Sequence, residues 1–179
     1  MINFLIKKAL KKNIELENKF KNEVCYIFGN GASLKSYDLK LFKNKNIITC
    51  NWMLLHNDFR YLENVKAYLE ISPFWFFPFI RRPYTRRLEI NNARKLFKKN
   101  YDNLSFPLFA SVSNYFYLNN KSTFFLHDFG GKDLDLNNYK INEKFTLMSG
   151  SSYAMIGIAK FMGFKKYIWL AWTIGCLSL

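Results

Sequence analysis

The sequence has few residues of the kinds that form covalent or metal cross-links. Its three cysteines, Cys25, Cys50 and Cys176, are widely spaced and odd in number, so they offer neither a disulfide framework nor a CxxC metal pair. The only two histidines are His56 and His127, and two isolated histidines do not make a zinc site. We therefore expect a reduced, cytoplasmic setting and neither a metal nor a cofactor.

Acidic residues and long apolar runs are also scarce. Asp and Glu number 13 against 27 Lys and Arg, giving a net charge of +14, which attracts polyanions, acidic membranes and phosphorylated ligands. The chain lacks a base-reading basic helix, zinc-finger spacing and the aromatic pattern of RNA-binding domains, so we expect no nucleic-acid partner. No apolar segment is long enough to span a bilayer.

The chain contains enough apolar residues to form the hydrophobic core of one domain, since 50% of its 179 residues are hydrophobic. Short apolar runs alternate with helical segments, an order that favours a parallel sheet. We predict an α/β fold with a Rossmann-like, mostly parallel sheet flanked by helices in a single domain over residues 23–179. The predicted strands are Val24 to Phe28, Asn46 to Cys50, Val65 to Ile71 (interrupted by Glu70), Pro107 to Val112, Thr123 to Leu126 and Tyr167 to Trp172.

Residues 1–22 are predicted to form a basic, amphipathic N-terminal helix. Phe4, Leu5, Leu10 and Ile14 share one broad face, and a cluster of lysines lies beside it. Such a helix either lies on an anionic membrane surface or packs on the domain. A peripheral contact with the inner membrane is therefore one of the expected interactions.

The first predicted strand ends at Gly29-Asn30-Gly31, followed by Ser33. This loop lacks the Gly-Lys-Ser/Thr ending of a P-loop, and Leu34 replaces the third glycine of a dinucleotide fingerprint. A strand-to-helix glycine turn still exposes backbone N–H groups that bind phosphate, and Asn30 and Ser33 can add side-chain hydrogen bonds.

Other small polar residues are expected at the same edge of the sheet. Asn51 follows the second strand, Ser72 follows the third, and Gly150, Ser151 and Ser152 open an apolar helix. Because the carboxyl ends of parallel strands meet at one edge, these residues predict an anion-binding pocket there. The alternative for Ser151 or Ser152 is a simple helix cap.

Two further features have competing interpretations. Residues 74–80 are mostly aromatic and lead into four arginines within residues 81–87, which suggests either a membrane- or acceptor-binding flap or a lid whose aromatics fill the core. His127-Asp128 resembles a base with an orienting carboxylate, but adjacent residues of a strand point to opposite faces, which argues against a dyad.

Several of these segments resemble the bacterial sialyltransferases of glycosyltransferase family 42. That family has a Gly-Asn-Gly-Pro-Ser-Leu loop, a later Cys-Asn, and a small-residue helix that ends in Gly-Tyr-Lys. The resemblance covers residues 23 to 170, and the stretches that carry it are Gly29-Asn30-Gly31-Ala32-Ser33-Leu34, Cys50-Asn51 and Ser149-Gly150-Ser151-Ser152 through Gly163-Phe164-Lys165.

The resemblance implies a CMP-sialic acid donor and a metal-independent, inverting transfer to a glycan acceptor on lipooligosaccharide. It implies that Asn30, Gly31 and Ser33 hold the donor phosphate and ribose. It also implies that Asn51 contacts the nucleotide and that Ser151 contacts the sialyl group or its carboxylate.

The departures from the family pattern are substantial. Ala32 replaces the loop proline, Ser72 replaces a donor-contacting asparagine, and Gly150-Ser151 replaces a Thr-Ser pair. The family continues after the last strand into a Gly-x-Asp turn, two tyrosines and a histidine base, which the tail after Leu170 lacks. We therefore expect a domain that is incomplete at its C-terminus and a chain that, alone, is inactive or nearly so.

Two rival functions stay open. The same outline is similar to domains related to an archaeal pterin diphosphokinase, which would need clustered carboxylates to hold magnesium against a triphosphate; Asp133 and Asp135, in a predicted loop, are poor candidates. The other rival is a non-catalytic protein that binds a membrane or a glycan through the aromatic and arginine-rich segment.

Overall fold

The computed structural model describes residues 2–72, 75–76, 88–102, 104–118, 120–128, 140–145 and 150–170. They form one sheet of seven parallel strands in the order β6-β5-β4-β3-β2-β1-β7. The α/β, Rossmann-like fold is thus confirmed. The strands are β1 (Val24–Phe28), β2 (Asn46–Cys50), β3 (Val65–Glu70), β4 (Leu108–Ser111), β5 (Thr123–Asp128), β6 (Lys144–Phe145) and β7 (Lys166–Leu170).

Helices cover both faces of this sheet. The α-helices are α1 (Ile2–Lys11), α2 (Leu88–Tyr101) and α3 (Ser151–Phe161). Shorter connections form 3-10 helices, which suit links too brief for regular α-helix. They span Lys12–Leu16, Ala32–Ser36, Leu39–Phe42, Asn51–Leu55, Asn57–Tyr61 and Val112–Asn114.

The strand order shows where the chain reverses its path across the sheet. From β1 to β6 each strand is added on the same side, and β7 then returns to the other side of β1. Right-handed crossovers place the earlier connections on one face and the reversed connection, α3, on the opposite face. The switch point lies between β1 and β7, and ligands of open α/β sheets bind beyond the carboxyl ends near such a point.

The apolar side chains divide accordingly into two layers. On the α2 face, Phe97 and Tyr101 of α2 belong to the same buried cluster as Tyr68 of β3. On the α3 face, Met155 and Ile158 of α3 cluster with alternate residues of the strands, among them Cys25, Ile27, Ile48, Ala67, Leu69, Phe109 and Phe124. Burial on both faces explains why the strands read as apolar runs without polar alternation.

The N-terminal segment packs on the sheet at its β5 edge. Lys12 Nζ donates to the carbonyls of Lys121 and Thr123 at 2.6 and 2.9 Å, and Asn13 Nδ2 donates to the carbonyl of Phe125 at 2.8 Å. The carbonyls of Thr123 and Phe125 lie along the edge of β5 that β6 leaves open, since β6 pairs only with His127 and Asp128. The Lys121 carbonyl lies just before β5 on the chain. The segment therefore covers an otherwise unpaired strand edge.

Two boundaries differ from the sequence predictions. Helical structure at the N-terminus ends at Leu16 rather than at residue 22, because Asn18 and Asn22 adopt left-handed backbone with φ of 54° and 67°. Glu70 does not interrupt β3 but is its last residue, since its carboxylate finds a hydrogen-bond donor in the following turn. Residues 171–172, predicted to continue β7, lie outside the described residues.

The end of α3 yields a first prediction. Gly163 has a φ of 86°, and a Cβ there would lie 3.0 Å from the Cα of Asn18, which is fixed by the bond from its N–H to the Phe161 carbonyl. We expect Gly163→Ala to lower the free energy of unfolding by about 2 kcal/mol, through backbone strain and this contact.

The matched control is Asn22→Ala. Asn22 also has a positive φ, 67°, but it is exposed and already carries a Cβ, so we expect only the strain of a left-handed alanine, about 1 kcal/mol. Urea unfolding of both variants measures the difference. Equal losses would show that the contact with Asn18 does not constrain this turn.

Candidate functional site

The carboxyl end of β2 is joined to the first residue of α3. Asn51 directly follows β2, and its Nδ2 donates to Ser151 Oγ at 3.1 Å. The Ser151 hydroxyl donates back to Asn51 Oδ1 at 3.3 Å. The structure therefore brings together two residues that are 100 positions apart and that the sequence placed in one pocket.

Asn51 is held in an unusual backbone conformation. Its φ is 53°, in the left-handed region that asparagine tolerates better than most residues. The Tyr68 hydroxyl of the neighbouring strand donates to the Asn51 carbonyl and accepts from the Leu54 N–H at 3.0 Å. Tyr68 is itself fully buried, so a rigid core side chain fixes the turn that presents the Asn51 amide.

The glycine loop follows β1, the strand next to β2. Phe28 and Thr49 are the last paired residues of the parallel strands β1 and β2. Asn30 and Asn51 each lie two residues beyond that residue pair. Asn30 is exposed, as a ligand-binding side chain at this edge needs to be. The register places Asn30 beside the turn that carries Asn51.

The loop does not use its glycines as the sequence suggested. Gly31 has φ −71° and ψ 161°, so it is extended and does not form the left-handed turn of an anion-binding nest. Among the described residues, only Gly150 and Gly163 are glycines with positive φ. Ser33, in the 3-10 helix that follows, has a buried Oγ with no hydrogen-bond partner in the described part of the chain.

The first turn of α3 is open to an anion. Gly150 precedes Ser151 and provides no side chain to bond the first-turn N–H groups, and that turn contains no acidic residue. Ser151 and Ser152 are half-buried. The first-turn N–H groups, which have no acceptor within the helix, and the positive end of the helix dipole favour a negatively charged ligand here.

Ser72 occupies a different part of this edge. Its N–H donates to Glu70 Oε1 at 3.1 Å, and its carbonyl accepts from Asn114 Nδ2 at 3.0 Å. Asn114 Oδ1 in turn accepts from the Phe76 N–H at 3.0 Å. Ser72 is thus held in a network with Glu70 and Asn114 rather than with the Asn51–Ser151 pair.

Sequence reasoning missed the contact of Tyr68 with Asn51 and that of Glu70 with Ser72. Burial raises the pKa of Glu70, and the hydrogen bonds from Ser72 oppose that change. Burial likewise raises the pKa of Tyr68. The signal available in the sequence was the single carboxylate inside the apolar run from Val65 to Ile71.

A polar hollow of about 440 Å³ adjoins this edge on the α2 face. It lies between the 3-10 helix after the glycine loop and those after β2. His56 lies at its wall, and its Nδ1 accepts from the Asp58 N–H at 3.2 Å. The lining residues are Leu34, Lys35, Tyr37, Leu55, His56, Asn57 and Asp58.

The two described cysteines are poor nucleophiles. Burial raises the pKa of both Cys25 and Cys50 to about 12, so almost no nucleophilic thiolate exists at neutral pH. Both belong to the buried cluster on the α3 face. Among the described residues, no group of three or more His, Cys, Asp or Glu side chains is placed to hold a metal ion.

The remaining candidates lie partly outside the described residues. Of the aromatic segment, Trp75 and Phe76 are buried in the cluster on the α2 face, so these two fill the core; Phe74 and residues 77–87 lie outside. His127 belongs to β5, which is three strand positions away from β2.

Comparison with known proteins adds no assignment: the chain matches no protein-family model, no curated protein sequence and no solved structure. No helix within the described ranges has both the length and the apolar character required to cross a membrane.

The burial of Glu70 predicts a pH dependence. Its pKa in the folded state is raised above its ordinary value of 4.5, so the folded chain retains a proton that the unfolded chain has lost once the pH exceeds that value. Stability therefore falls as the pH rises from the unfolded pKa to the folded pKa, by about 1.4 kcal/mol for each pH unit between them.

Glu70→Gln keeps the acceptor for Ser72 but cannot ionise, so we expect the variant to be more stable than the wild type at pH 7.5 and to lose that advantage at pH 4. Urea unfolding across this range measures the difference. Glu63→Gln is the control, because Glu63 is exposed and paired with Lys43. Parallel wild-type and Glu70→Gln curves would contradict the assignment.

Proposed function

We propose that the carboxyl edge beside β1 and β2 binds the nucleotide part of a sugar donor, and that the chain is a glycosyltransferase-like protein of the CMP-sialic acid-dependent kind. The observation that carries the proposal is the pair of hydrogen bonds between Asn51 and Ser151. These bonds connect the carboxyl end of β2 to the open N-terminus of α3. Both lie beside the glycine loop, which the sequence resemblance implies holds the donor phosphate and ribose.

In this proposal each residue has a distinct role. The N–H groups at Ser151 and Ser152 meet the negative charge of the donor, with Gly150 leaving room for it. Asn51 presents its amide to the nucleotide, and Asn30 contributes from the adjacent strand. Such fixed backbone and side-chain dipoles bind anions without reorganisation.

Charge supports an anionic ligand at this edge. The chain carries +14, and the first turn of α3 contains no acidic residue that would repel a bound phosphate or carboxylate. The basic surface would also draw the protein to an anionic bilayer, and we propose peripheral contact with the cytoplasmic face of the inner membrane.

The alternatives make different binding predictions. A pterin diphosphokinase-like enzyme would bind ATP with magnesium through clustered carboxylates, a grouping absent among the described residues. A membrane-binding protein would respond to anionic lipid through α1, where Phe4 is 70% exposed. Neither alternative explains why Asn51 and Ser151 are linked.

Thermal unfolding of the chain with added ligands tests the proposal. We expect CMP to raise the melting temperature in a concentration-dependent way, and ATP with magnesium or anionic liposomes to raise it less. A response to ATP with magnesium alone would support the diphosphokinase alternative, and a response to liposomes alone the membrane alternative. Either result without a CMP response would overturn the proposal.

A matched pair of variants ties the response to the site. Asn51→Gly removes the amide while permitting the positive φ, and Asn22→Gly does the same at an exposed asparagine with φ 67°. We expect the first to weaken CMP binding at least about tenfold, the loss typical of one well-placed polar contact. The second should leave CMP binding unchanged.

A further inference from the structure

The two faces of α1 have different surroundings. On one face Ala9 and Leu10 are buried and Leu5 and Ile6 are half-buried, because α1 packs beside β5. The apolar face predicted from the sequence is therefore used to hold α1 on the domain. Phe4 is the exception, since 70% of its surface is exposed.

The opposite face of α1 is basic. Phe4, Lys7, Lys8 and Lys11 have the i, i+3, i+4, i+7 spacing that places side chains on one side of an α-helix, and all four are exposed. Lys11 keeps helical backbone, with φ −57° and ψ −32°, where α1 passes into the 3-10 helix. Ile14, three positions further and 46% exposed, continues the same side. We call these five residues the α1 stripe.

The positive charge of the α1 stripe is not neutralised within the described part of the chain. α1 contains no acidic residue, and the three lysines of the stripe form no ion pair there. Glu15, just after the stripe, interacts electrostatically with Lys12, whose amine bonds the β5 edge instead. Glu143, which borders the groove beside α1, lies 3.8 Å from Lys140. The stripe is therefore available to an anionic partner.

The shape and composition of the α1 stripe favour a bilayer over other polyanions. A single exposed helix is convex and offers no groove to track a nucleic-acid strand. A bilayer can instead be contacted along the whole helix, with lysine amines on the lipid phosphates and apolar side chains in the boundary between headgroups and acyl chains. Phe4 and Ile14, at the two ends of the stripe, are the apolar side chains that such a contact needs.

We propose that the α1 stripe is the surface that rests on an anionic lipid bilayer. Phe4 and Ile14 insert between the headgroups, and the three lysines bind the lipid phosphates. This inference rests on the peripheral membrane contact proposed above and names the surface that makes it. Because the other face of α1 packs on the domain, the helix joins the folded sheet to the membrane without a linker.

Cosedimentation of the full chain with lipid vesicles tests the lysines. We expect binding to vesicles of phosphatidylcholine with phosphatidylglycerol, none to phosphatidylcholine alone, and loss of binding at high salt. Replacing all three lysines of the stripe with glutamine should weaken binding about a hundredfold. The control triple variant, Lys19→Gln with Lys21→Gln and Lys45→Gln, removes the same charge from exposed positions outside α1 and should weaken binding at most about threefold.

A second pair of variants tests the insertion of an apolar side chain. Phe4→Ala should weaken vesicle binding at least about fivefold without changing its salt dependence. Phe116→Ala is the matched control, because Phe116 is similarly exposed, at 73%, and it should leave binding unchanged. All of these positions are exposed, so the melting temperature and the response to CMP should stay at wild-type values.

The outcomes separate this inference from the proposed function. Equal losses in the two triple variants, or wild-type binding in Phe4→Ala, would overturn the assignment of the α1 stripe. Tighter binding of single-stranded RNA than of vesicles, with no effect of Phe4→Ala, would overturn it in favour of nucleic acid. A chain that responds to CMP but binds no vesicles would overturn the membrane contact alone. Vesicle binding through the stripe without a CMP response would support this inference and overturn the nucleotide site.

Discussion

Replacing Asn13 with leucine is expected to lower the free energy of unfolding by about 1–3 kcal/mol. Asn13 is fully buried and its Nδ2 donates to the carbonyls of Phe125 at 2.8 Å and Ile141 at 2.6 Å. Leucine has a similar volume but no donor, so both carbonyls lose this bond. A buried acceptor without a partner costs about 1–3 kcal/mol. The loss of two such bonds is partly offset, because the substitution also removes Asn13 Oδ1, which is buried without a partner among the described residues.

The position of Asn13 adds a second consequence. Together with Lys12 it covers the free edge of β5, and an uncovered strand edge invites pairing between chains. We therefore expect Asn13→Leu to associate at concentrations at which the wild type does not.

Chemical unfolding and light scattering together measure both effects. Asn92→Leu is the matched control, since Asn92 is exposed on α2, and it should change stability by no more than about 0.5 kcal/mol. If Asn13→Leu were no more destabilising than this control, the 3-10 helix Lys12–Leu16 that contains Asn13 would not be an integral part of the domain.

The second large effect is expected for Tyr68→Phe. The Tyr68 hydroxyl bonds the Asn51 carbonyl and the Leu54 N–H, so its removal leaves two backbone groups without their partner. We expect a loss of about 2–3 kcal/mol in unfolding free energy. Because the same hydroxyl fixes the turn that carries Asn51, CMP binding should also weaken at least about tenfold.

Tyr61→Phe provides the comparison. Tyr61 accepts a hydrogen bond from Arg60 at the surface, at 3.2 Å, and its loss should affect neither stability nor CMP binding measurably. Unfolding in urea and calorimetric titration with CMP distinguish the outcomes. Wild-type CMP affinity in Tyr68→Phe would show that Asn51 does not need this support.

The fold was predictable because its strands are buried on both faces. Runs such as Cys25 to Phe28 and Ile47 to Cys50 are fully or nearly apolar, which marks a parallel sheet under helices. The sequence could not reveal that the segment after α1 covers the edge of β5, because those hydrogen bonds join residues more than 100 positions apart. Nor does a two-residue strand such as β6 leave a periodic pattern.

The arrangement of the candidate site was predictable only in part. Parallel strands end at one edge, so polar residues after β1 and β2 and at the start of α3 had to be near one another. The contact that orders them was not predictable, because it depends on the side chain of Tyr68 reaching Asn51 from a neighbouring strand. Ser72 was placed at the correct edge, but Glu70 and Asn114 determine its surroundings.

The glycine loop shows the limit of motif reading. Gly31 was expected to help form an anion-binding nest, yet its backbone is extended. A glycine permits a left-handed conformation without requiring one. Asn51, after the adjacent strand, instead adopts the positive φ.

A double-mutant cycle on CMP binding tests the central claim, that Asn51 and Ser151 act as one ligand-binding unit. Asn51→Gly and Ser151→Ala should each weaken CMP binding at least about tenfold, and the double variant should bind little worse than either single variant, a coupling of at least about 1 kcal/mol. Wild-type affinity in both single variants, or losses that simply add, would contradict the claim.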